Sequence, residues 1–329
     1  LKLVIVERKK VTWFVCWALL VVISAVAVTQ WSALQRKWYG VKDGVMLEGR
    51  SMARLLPAEV KKVVTEMAKF YTLPPQNAGY FVETGEVIPD KEGRGVDIEA
   101  TVGQILTAQP GAQLRMITFA IPASVGKDYF SPVFQGPADQ KKASLTINVA
   151  WGEEELPALL QILKKRGVKA TFFFDGAWVK KFPEFVKEIH TAGHEIANHG
   201  LYHGHPAQMG REELKRLIVE NDQLLAGVIG AEPAKLFAPP YGEFNEEIVA
   251  VAGNLGYRTI MWTIDTIDWQ RPAPEVIIRR VVDKMKGGAI ILMHPTAPTV
   301  QALDRIIQAL QGQGYELVTV SELLRKAST

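Results

Sequence analysis

The sequence predicts an α/β protein: a distorted or incomplete (β/α) barrel, preceded by an N-terminal transmembrane helix and a small α+β domain. Three observations predict it. From Ala143 onward, short apolar, β-branched or aromatic runs alternate with amphipathic helical stretches. An uncharged run near the N-terminus has the length of a bilayer span. Between the two lies a segment of mixed strand and helix character.

The apolar run is Val11 to Val28, 18 residues whose only polar members are Thr12 and Ser24. As a helix it would extend roughly 27 Å, close to the bilayer core. Arg8, Lys9 and Lys10 precede it, and Trp13, Trp17 and Trp31 suit its interfacial ends. Lys2 and those three cations, against Arg36, Lys37 and Lys42, favour an inside N-terminus with the rest exported. Ala25-Val26-Ala27 also fits a signal-peptidase site, so a cleaved signal is the alternative to a retained anchor.

In the middle segment, Pro57 to Tyr71 has helical spacing. Val60, Val63, Val64, Met67 and Phe70 form one face, with Pro57 in the first turn. Asn77 to Ile88 reads as a hairpin turning at Glu83-Thr84-Gly85-Glu86, Asp97 to Ala108 as a short helix, and Leu114 to Ile121 as a half-exposed strand. No catalytic constellation stands out here.

In the C-terminal segment, strands are expected at Leu145–Val149, Ala170–Phe174, Glu195–Ala197, Leu236–Ala238, Thr259–Thr263, Ala289–Met293 and Glu316–Val318. Helices are expected at Leu156–Lys165, Glu212–Ile229, Pro274–Met285 and Val300–Gln311. A flat doubly wound sheet is the alternative, but no glycine-rich dinucleotide fingerprint follows the first strand.

The polar residues cluster on this frame. Asn148 ends the first strand, Asp175 follows the second, and His199 and His203 follow the third. Pro239-Pro240-Tyr241-Gly242 follows the fourth, Asp265 and Asp268-Trp269 the fifth, and His294 the sixth. All lie at strand C-termini, the face that carries barrel active sites. His199 and His203 are four residues apart and have metal-ligand character; His190 and His194 share that spacing. Two imidazoles, nearby acids and a separate histidine suit metal-assisted hydrolysis. Zinc is the default ion, and cobalt, nickel or iron would also suit the donors.

Composition excludes other classes. The net charge of +3 over 329 residues implies no nucleic-acid surface. The single cysteine, Cys16, excludes an intrachain disulfide and a cysteine metal cluster. The apolar run disfavours a cytoplasmic enzyme.

The stretches "KATFFFDGAWVKKFPEFVKEIHTAGHEIANHGLYHGH", "FAPPYGEFN", "LGYRTIMWTIDTIDWQRP" and "IILMHPTAPTVQALDRIIQALQGQGYELVTVSELL" resemble, in order and spacing, the polysaccharide deacetylases of carbohydrate esterase family 4. The resemblance covers Ala143–Leu324 and is strongest to membrane-anchored or exported bacterial members. It implies removal of N-acetyl groups from peptidoglycan or chitin-like polymers. His199 and His203 match the family's metal ligands, His294 its catalytic acid and Asp268 the carboxylate that orients that acid. Tyr241, Trp269, Leu292 and Pro240 match substrate-binding positions, and the Tyr241 N–H matches an oxyanion donor. The stretch "NAGYFVETGEVIPDKEGRGVDIEATVGQIL" resembles domains of wall-associated proteins proposed to bind peptidoglycan; a spacer is the alternative. The implied organisation is a cytoplasmic tip and anchor over 1–36, a wall-binding or spacer domain over 37–125, a linker over 126–142 and the barrel over 143–329.

Three positions depart from the family pattern. Asn148 stands where the family has its base aspartate, and Val149 where it has a metal-binding aspartate, which one branch also lacks. Ala238 stands where an arginine pairs with the base. Losing one member of a buried ion pair leaves an uncompensated charge at a cost of about 3–5 kcal/mol; losing both leaves none. Glu153 and Glu154 are the nearest replacement carboxylates, although they also suit the N-terminus of the following helix. Asp175 is another, or a simple cap. The leading expectation is therefore a wall-glycan deacetylase with weakened chemistry, and the alternative is a non-catalytic glycan-binding protein.

Expressed whole, the chain should fractionate with membranes and be cut by external protease after Trp31. A soluble secreted form beginning near Val28 would instead identify a cleaved signal.

Overall fold

The computed structural model describes residues 8–81 and 83–325, and among residues 8–12 and at 28 and 29 it describes backbone only. Lys2 lies outside the described residues, as do the side chains of Arg8, Lys9 and Lys10. The first helix, α1 (Arg8–Tyr39), continues past the apolar run. Its stretch Trp13–Tyr39 contains an 18-residue window of mean hydropathy 2.1, long and apolar enough to cross a membrane. The boundary expected at 36/37 falls inside this helix.

The chain then forms β1 (Met46–Leu47), β2 (Arg50–Ser51) and α2 (Pro57–Tyr71). A hairpin of β3 (Gly79–Phe81) and β4 (Glu86–Ile88) follows, then β5 (Gly93–Val96), α3 (Ile98–Thr107), β6 (Gln113–Leu114) and β7 (Thr118–Ile121). The single strand expected over Leu114–Ile121 is thus two strands with different partners: β6 pairs with β1 and β7 with β5.

The chain divides into two compact units. The first is Leu1–Gln76 with Lys91–Ala123; the second is Asn77–Asp90 with Ser124–Thr329. The hairpin and the segment 126–142 therefore belong with the barrel, unlike the expected boundaries. In the first unit, α2 buries Val60 and Val64 against Leu47, Met52, Val102 and Ile105, and its Ala68 is buried too. Phe70, expected on that face, is 85% exposed, because Ala68 occupies the inward position.

The second unit holds β8 (Lys142–Val149), α4 (Leu156–Arg166), β9 (Thr171–Phe174), α5 (Gly176–Lys181), α6 (Pro183–Thr191), β10 (Glu195–Asn198) and α7 (Arg211–Ile229). It continues through β11 (Leu236–Phe237), α8 (Glu246–Asn254), β12 (Arg258–Thr259), β13 (Ile264–Asp265), α9 (Pro274–Val282), β14 (Ala289–Met293), α10 (Ala297–Gly312), β15 (Glu316–Leu317) and α11 (Val320–Leu323). The parallel sheet runs β12-β11-β10-β9-β8-β14-β13, with β15 paired to the start of β8.

That order requires curvature. The edge strands β12 and β13 are separated by six strand spacings, about 29 Å in a flat sheet. Yet only five Cα steps join Thr259 to Ile264, at most about 18 Å. The sheet must curl until its edges approach. Of the expected strand Thr259–Thr263, only Thr259 lies in a strand, β12, and the rest is the crossing between edges. Residues 133–136 fill the seam: Val133 N–H donates to Thr259 O (2.8 Å), Met261 N–H to Val133 O (2.8 Å) and Thr263 Oγ1 to Phe134 O (2.6 Å). Gly136 N–H donates to Gly288 O at 2.8 Å on the other side.

The helices cover the outside of the curl. Leu145, Ile147 and Val149 of β8 pack outward with Leu159 and Leu163 of α4 and Leu303 and Ile307 of α10. Phe173, Ala197, Ala238 and Ile290 form a separate cluster on the inner face. The period-two alternation of strands makes this division.

Candidate active site

The alternation decides what β8 contributes. Asn148 pairs in register with Phe173 and so shares its inner face. Asn148 is buried and lines a cleft at the strand C-termini, and among the described residues its Oδ1 has no hydrogen-bond partner. Val149 sits in the outer apolar layer. An apolar residue at Val149 therefore fits its packing, whereas Asn148 presents an uncharged amide to the cleft.

The histidine loop is pinned to α7. Asn198 Nδ2 donates to Ile218 O (2.8 Å), and its Oδ1 accepts from Gly200 N–H (2.8 Å) and Asn221 Nδ2 (2.9 Å). His199 is buried, with Nδ1 2.7 Å from Ala238 O. A carbonyl only accepts, so Nδ1 carries the hydrogen and Nε2 keeps its lone pair. Burial and then His203 push the His199 pKa down to about 3, which keeps the ring neutral. The His203 ring lies 5.2 Å away between centroids; desolvation, then His294, lowers its pKa too.

A neutral imidazole with a fixed tautomer, as at His199, fits a divalent ion. Among the described residues no third His, Cys, Asp or Glu joins them to complete a ligand set. The donors suit an ion held by two histidines, with solvent completing its shell. His190 and His194 do not compete: His194 is buried against Phe172, and its Nδ1 accepts from Ala170 N–H at 3.2 Å.

Tyr241 is held from two sides. Its backbone is left-handed, with φ of 57°, a conformation that a non-glycine residue adopts at a cost. His205 stacks on its ring at 4.2 Å and 7°, and His203 meets it edge-on at 4.4 Å. His205 Nδ1 is 2.7 Å from Glu243 Oε1, and Ala207 N–H donates to Glu243 Oε2 (3.2 Å), which closes the clamp. Gly242 follows at φ of 66°, where a Cβ would lie 2.3 Å from the Trp262 ring.

The opposite wall carries His294. Its Nδ1 is 2.8 Å from Asp268 Oδ1, and its N–H donates to Asp268 Oδ2 at 2.6 Å. Thr299 Oγ1 donates to Oδ2 as well, at 2.6 Å. Asp268 is fully buried, so these donors carry its charge. A carboxylate accepts, so His294 Nδ1 carries a hydrogen and Nε2 is the nitrogen left for chemistry. Trp151 stacks on His294 at 5.7 Å and 8°. Gly152 permits that approach, since a Cβ there would lie 2.2 Å from Pro295 O.

The cleft has a volume of about 380 Å³. Of the sequence-predicted residues, Asn148, His203, Tyr241, Trp269, Leu292 and His294 line it. His199 and Asp268 are buried behind its wall. Pro240 is buried under the Tyr241 turn and is not part of the lining. Glu154 is exposed on a 3-10 turn, and Glu153 accepts from Trp178 Nε1 at 3.3 Å; neither lines the cleft. Trp151, Trp262 and Asp265 do line it. Trp262 was hidden inside an apolar run that resembled a strand.

Asp175 caps α5, accepting from Trp178 N–H at 2.9 Å, while its Oδ2 is buried without a partner among the described residues. Burial raises its pKa from the ordinary 3.8 to about 6. Ionising it in the folded state therefore costs stability. The cost is absent below about pH 4, grows up to about pH 6 and is full above that. Asp175→Asn keeps the cap and should stabilise the fold by roughly 2–3 kcal/mol near pH 7 and by little near pH 4, read by denaturant unfolding. Destabilisation at both pH values would show that the carboxylate is needed.

The double change His199→Ala with His203→Ala should abolish stoichiometric metal binding while leaving the circular dichroism of the barrel intact. Metal retained by that variant would contradict the assignment.

Comparison with known proteins agrees with this geometry. A family model described as polysaccharide deacetylase matches residues 135–260. The chain is 36% identical over 261 residues to the uncharacterised protein YlxY of Bacillus subtilis, a match covering 79% of this chain and 81% of that one. It is 32% identical over 201 residues to a peptidoglycan-N-acetylglucosamine deacetylase of Bacillus cereus, covering 60% of this chain and 73% of that one. Among solved structures it resembles a pseudoenzyme of carbohydrate esterase family 4 from Bacillus anthracis, with a TM-score of 0.59 and 37% identity, covering 80% and 94% of the two chains. It matches equally a mutant of that protein with restored enzymatic activity, with a TM-score of 0.59 and 36% identity, covering 80% and 97%. These matches, with the curled parallel sheet, show that the chain belongs to the polysaccharide deacetylases of carbohydrate esterase family 4, a family that acts on N-acetyl amide bonds.

Proposed function

We propose that this chain binds acetylated cell-wall glycan, peptidoglycan or a related polysaccharide, in the cleft and removes its N-acetyl groups slowly. The observation that carries this reading is the complete acid half of the site: His294, oriented by buried Asp268, in a cleft walled by Trp151, Tyr241, Trp262 and Trp269. Aromatic faces suit sugar rings, and Leu292 offers an apolar contact for the acetyl methyl group. His294 Nε2 protonates the leaving amine. The Tyr241 N–H, aimed by the His205–Glu243 clamp, donates to the oxyanion. A divalent ion held by His199 and His203, zinc by donor type, would polarise the acetyl carbonyl and acidify water.

The base half is what slows the reaction. An amide at Asn148 cannot take a proton from water, and base catalysis typically contributes about 10²–10⁴-fold. The same two residues, Asn148 and Ala238, support a second reading, a non-catalytic glycan-binding protein on a deacetylase fold. The reading also takes α1 as a membrane anchor, with the rest of the chain outside the cell. It takes the first unit as a wall-binding or spacer domain.

Asn148→Asp alone should help little, because a buried carboxylate without a cation tends to stay protonated. Adding Ala238→Arg should restore the pair and raise acetate release from acetylated glycan by at least about tenfold over the parent. Equal background rates in parent and double variant would favour the binding reading. A fast parent that slows on Glu153→Gln or Glu154→Gln would place the base elsewhere.

A further inference from the structure

A second groove of about 230 Å³ lies between the β3–β4 hairpin and α8. Tyr80 and Val87 of the hairpin form one wall; Phe244, Asn245 and Glu246 form the other, and Phe130 also lines it. Its chemistry is mixed. Phe244 is exposed and meets Phe134 edge-on at 5.6 Å between centroids. Tyr80 OH donates to Glu246 Oε1 at 2.8 Å, which leaves Oε2 as an acceptor. Asn245 Oδ1 caps α8 by accepting from Ile248 N–H at 2.9 Å, which leaves its Nδ2 hydrogens to donate. An apolar ring face beside a few convergent donors and acceptors suits a neutral polyhydroxylated ring.

The groove neighbours the cleft along the chain. Tyr241 and Gly242 line the cleft, and Phe244 lines the groove only two residues on, within about 7 Å of chain. Trp262 lines the cleft, and its neighbour Thr263 bonds the carbonyl of Phe134 beside Phe244. The hairpin wall is fixed to the barrel unit rather than free: Tyr80 N–H donates to Asn254 Oδ1 at 2.9 Å.

We propose that this groove is a second subsite, which takes a neighbouring sugar unit of the same glycan strand that occupies the cleft. The inference rests on the glycan-binding reading of the cleft. It makes the chain selective for long strands over short oligomers.

The test measures binding of peptide-free N-acetylglucosamine dimers and hexamers to the purified chain by calorimetry. Phe244→Ala removes the platform, and Val87→Trp fills the groove from an exposed hairpin position. Both should weaken hexamer binding about fivefold or more and leave dimer binding unchanged. Two variants with opposite changes in volume guard against a folding artefact. Hexamer binding unaffected by both variants, or lost equally with dimer binding, would overturn the subsite alone. So would an effect seen only with peptide-bearing glycan, which would give the groove to the stem peptide. No binding of either oligomer by the parent chain would overturn the glycan reading and this inference with it.

Discussion

The short crossing between β12 and β13 sets the shape of the barrel unit. Four intervening residues hold the opposite edges of the sheet within reach of each other, and the strands between them must curl. The remaining gap is closed by backbone from residues 133–136. Curling brings the strand C-termini together. Asn148, the histidine loop, the Tyr241 turn and His294 then share one cleft although they are up to 146 positions apart in sequence. Inner and outer faces follow from the same geometry, which is why Val149 belongs to the helix-facing core and Asn148 to the cleft.

The two halves of the site are unequal in their electrostatics. On one side, a fully buried carboxylate is satisfied by three donors and holds His294 in one tautomer. Such an arrangement is costly to keep unless its charge is used or fully compensated. On the other side, the inner face carries an amide and a methyl group, and Asn148 Oδ1 has no partner among the described residues. A lone aspartate there would be an uncompensated buried charge, so the uncharged pair is the more stable arrangement. Burial likewise holds His199 neutral, ready for a ligand role. On the proposed reading, His294 is the acid, the aromatic walls and the histidine pair are in place, and no carboxylate stands at position 148 to activate water.

Much of this was legible in the sequence, because strand alternation and the C-terminal-end rule are local patterns with a long-range consequence. His199, His203, Tyr241, Asp268 and His294 could be placed on one face from order alone. Where the reading failed, the missing information was tertiary. The run Thr259–Thr263 looks like a strand by composition, but its neighbours turn it into an edge-to-edge crossing, which hid Trp262. The segment 126–142 looks like a linker because it is polar and contains Pro132 and Pro137, yet its backbone supplies the seam. Glu154 lies close to Asn148 in sequence but on a turn away from the cleft. Phe70 follows helical spacing but loses its inward place to Ala68.

The central claim is that the acid half works while the base half does not. Its most direct test is acetate release from acetylated peptidoglycan by the unaltered chain beside His294→Ala. The account predicts slow release above the enzyme-free background that falls to background when His294 is removed. Release that is indifferent to His294, or absent from the unaltered chain as well, would contradict it.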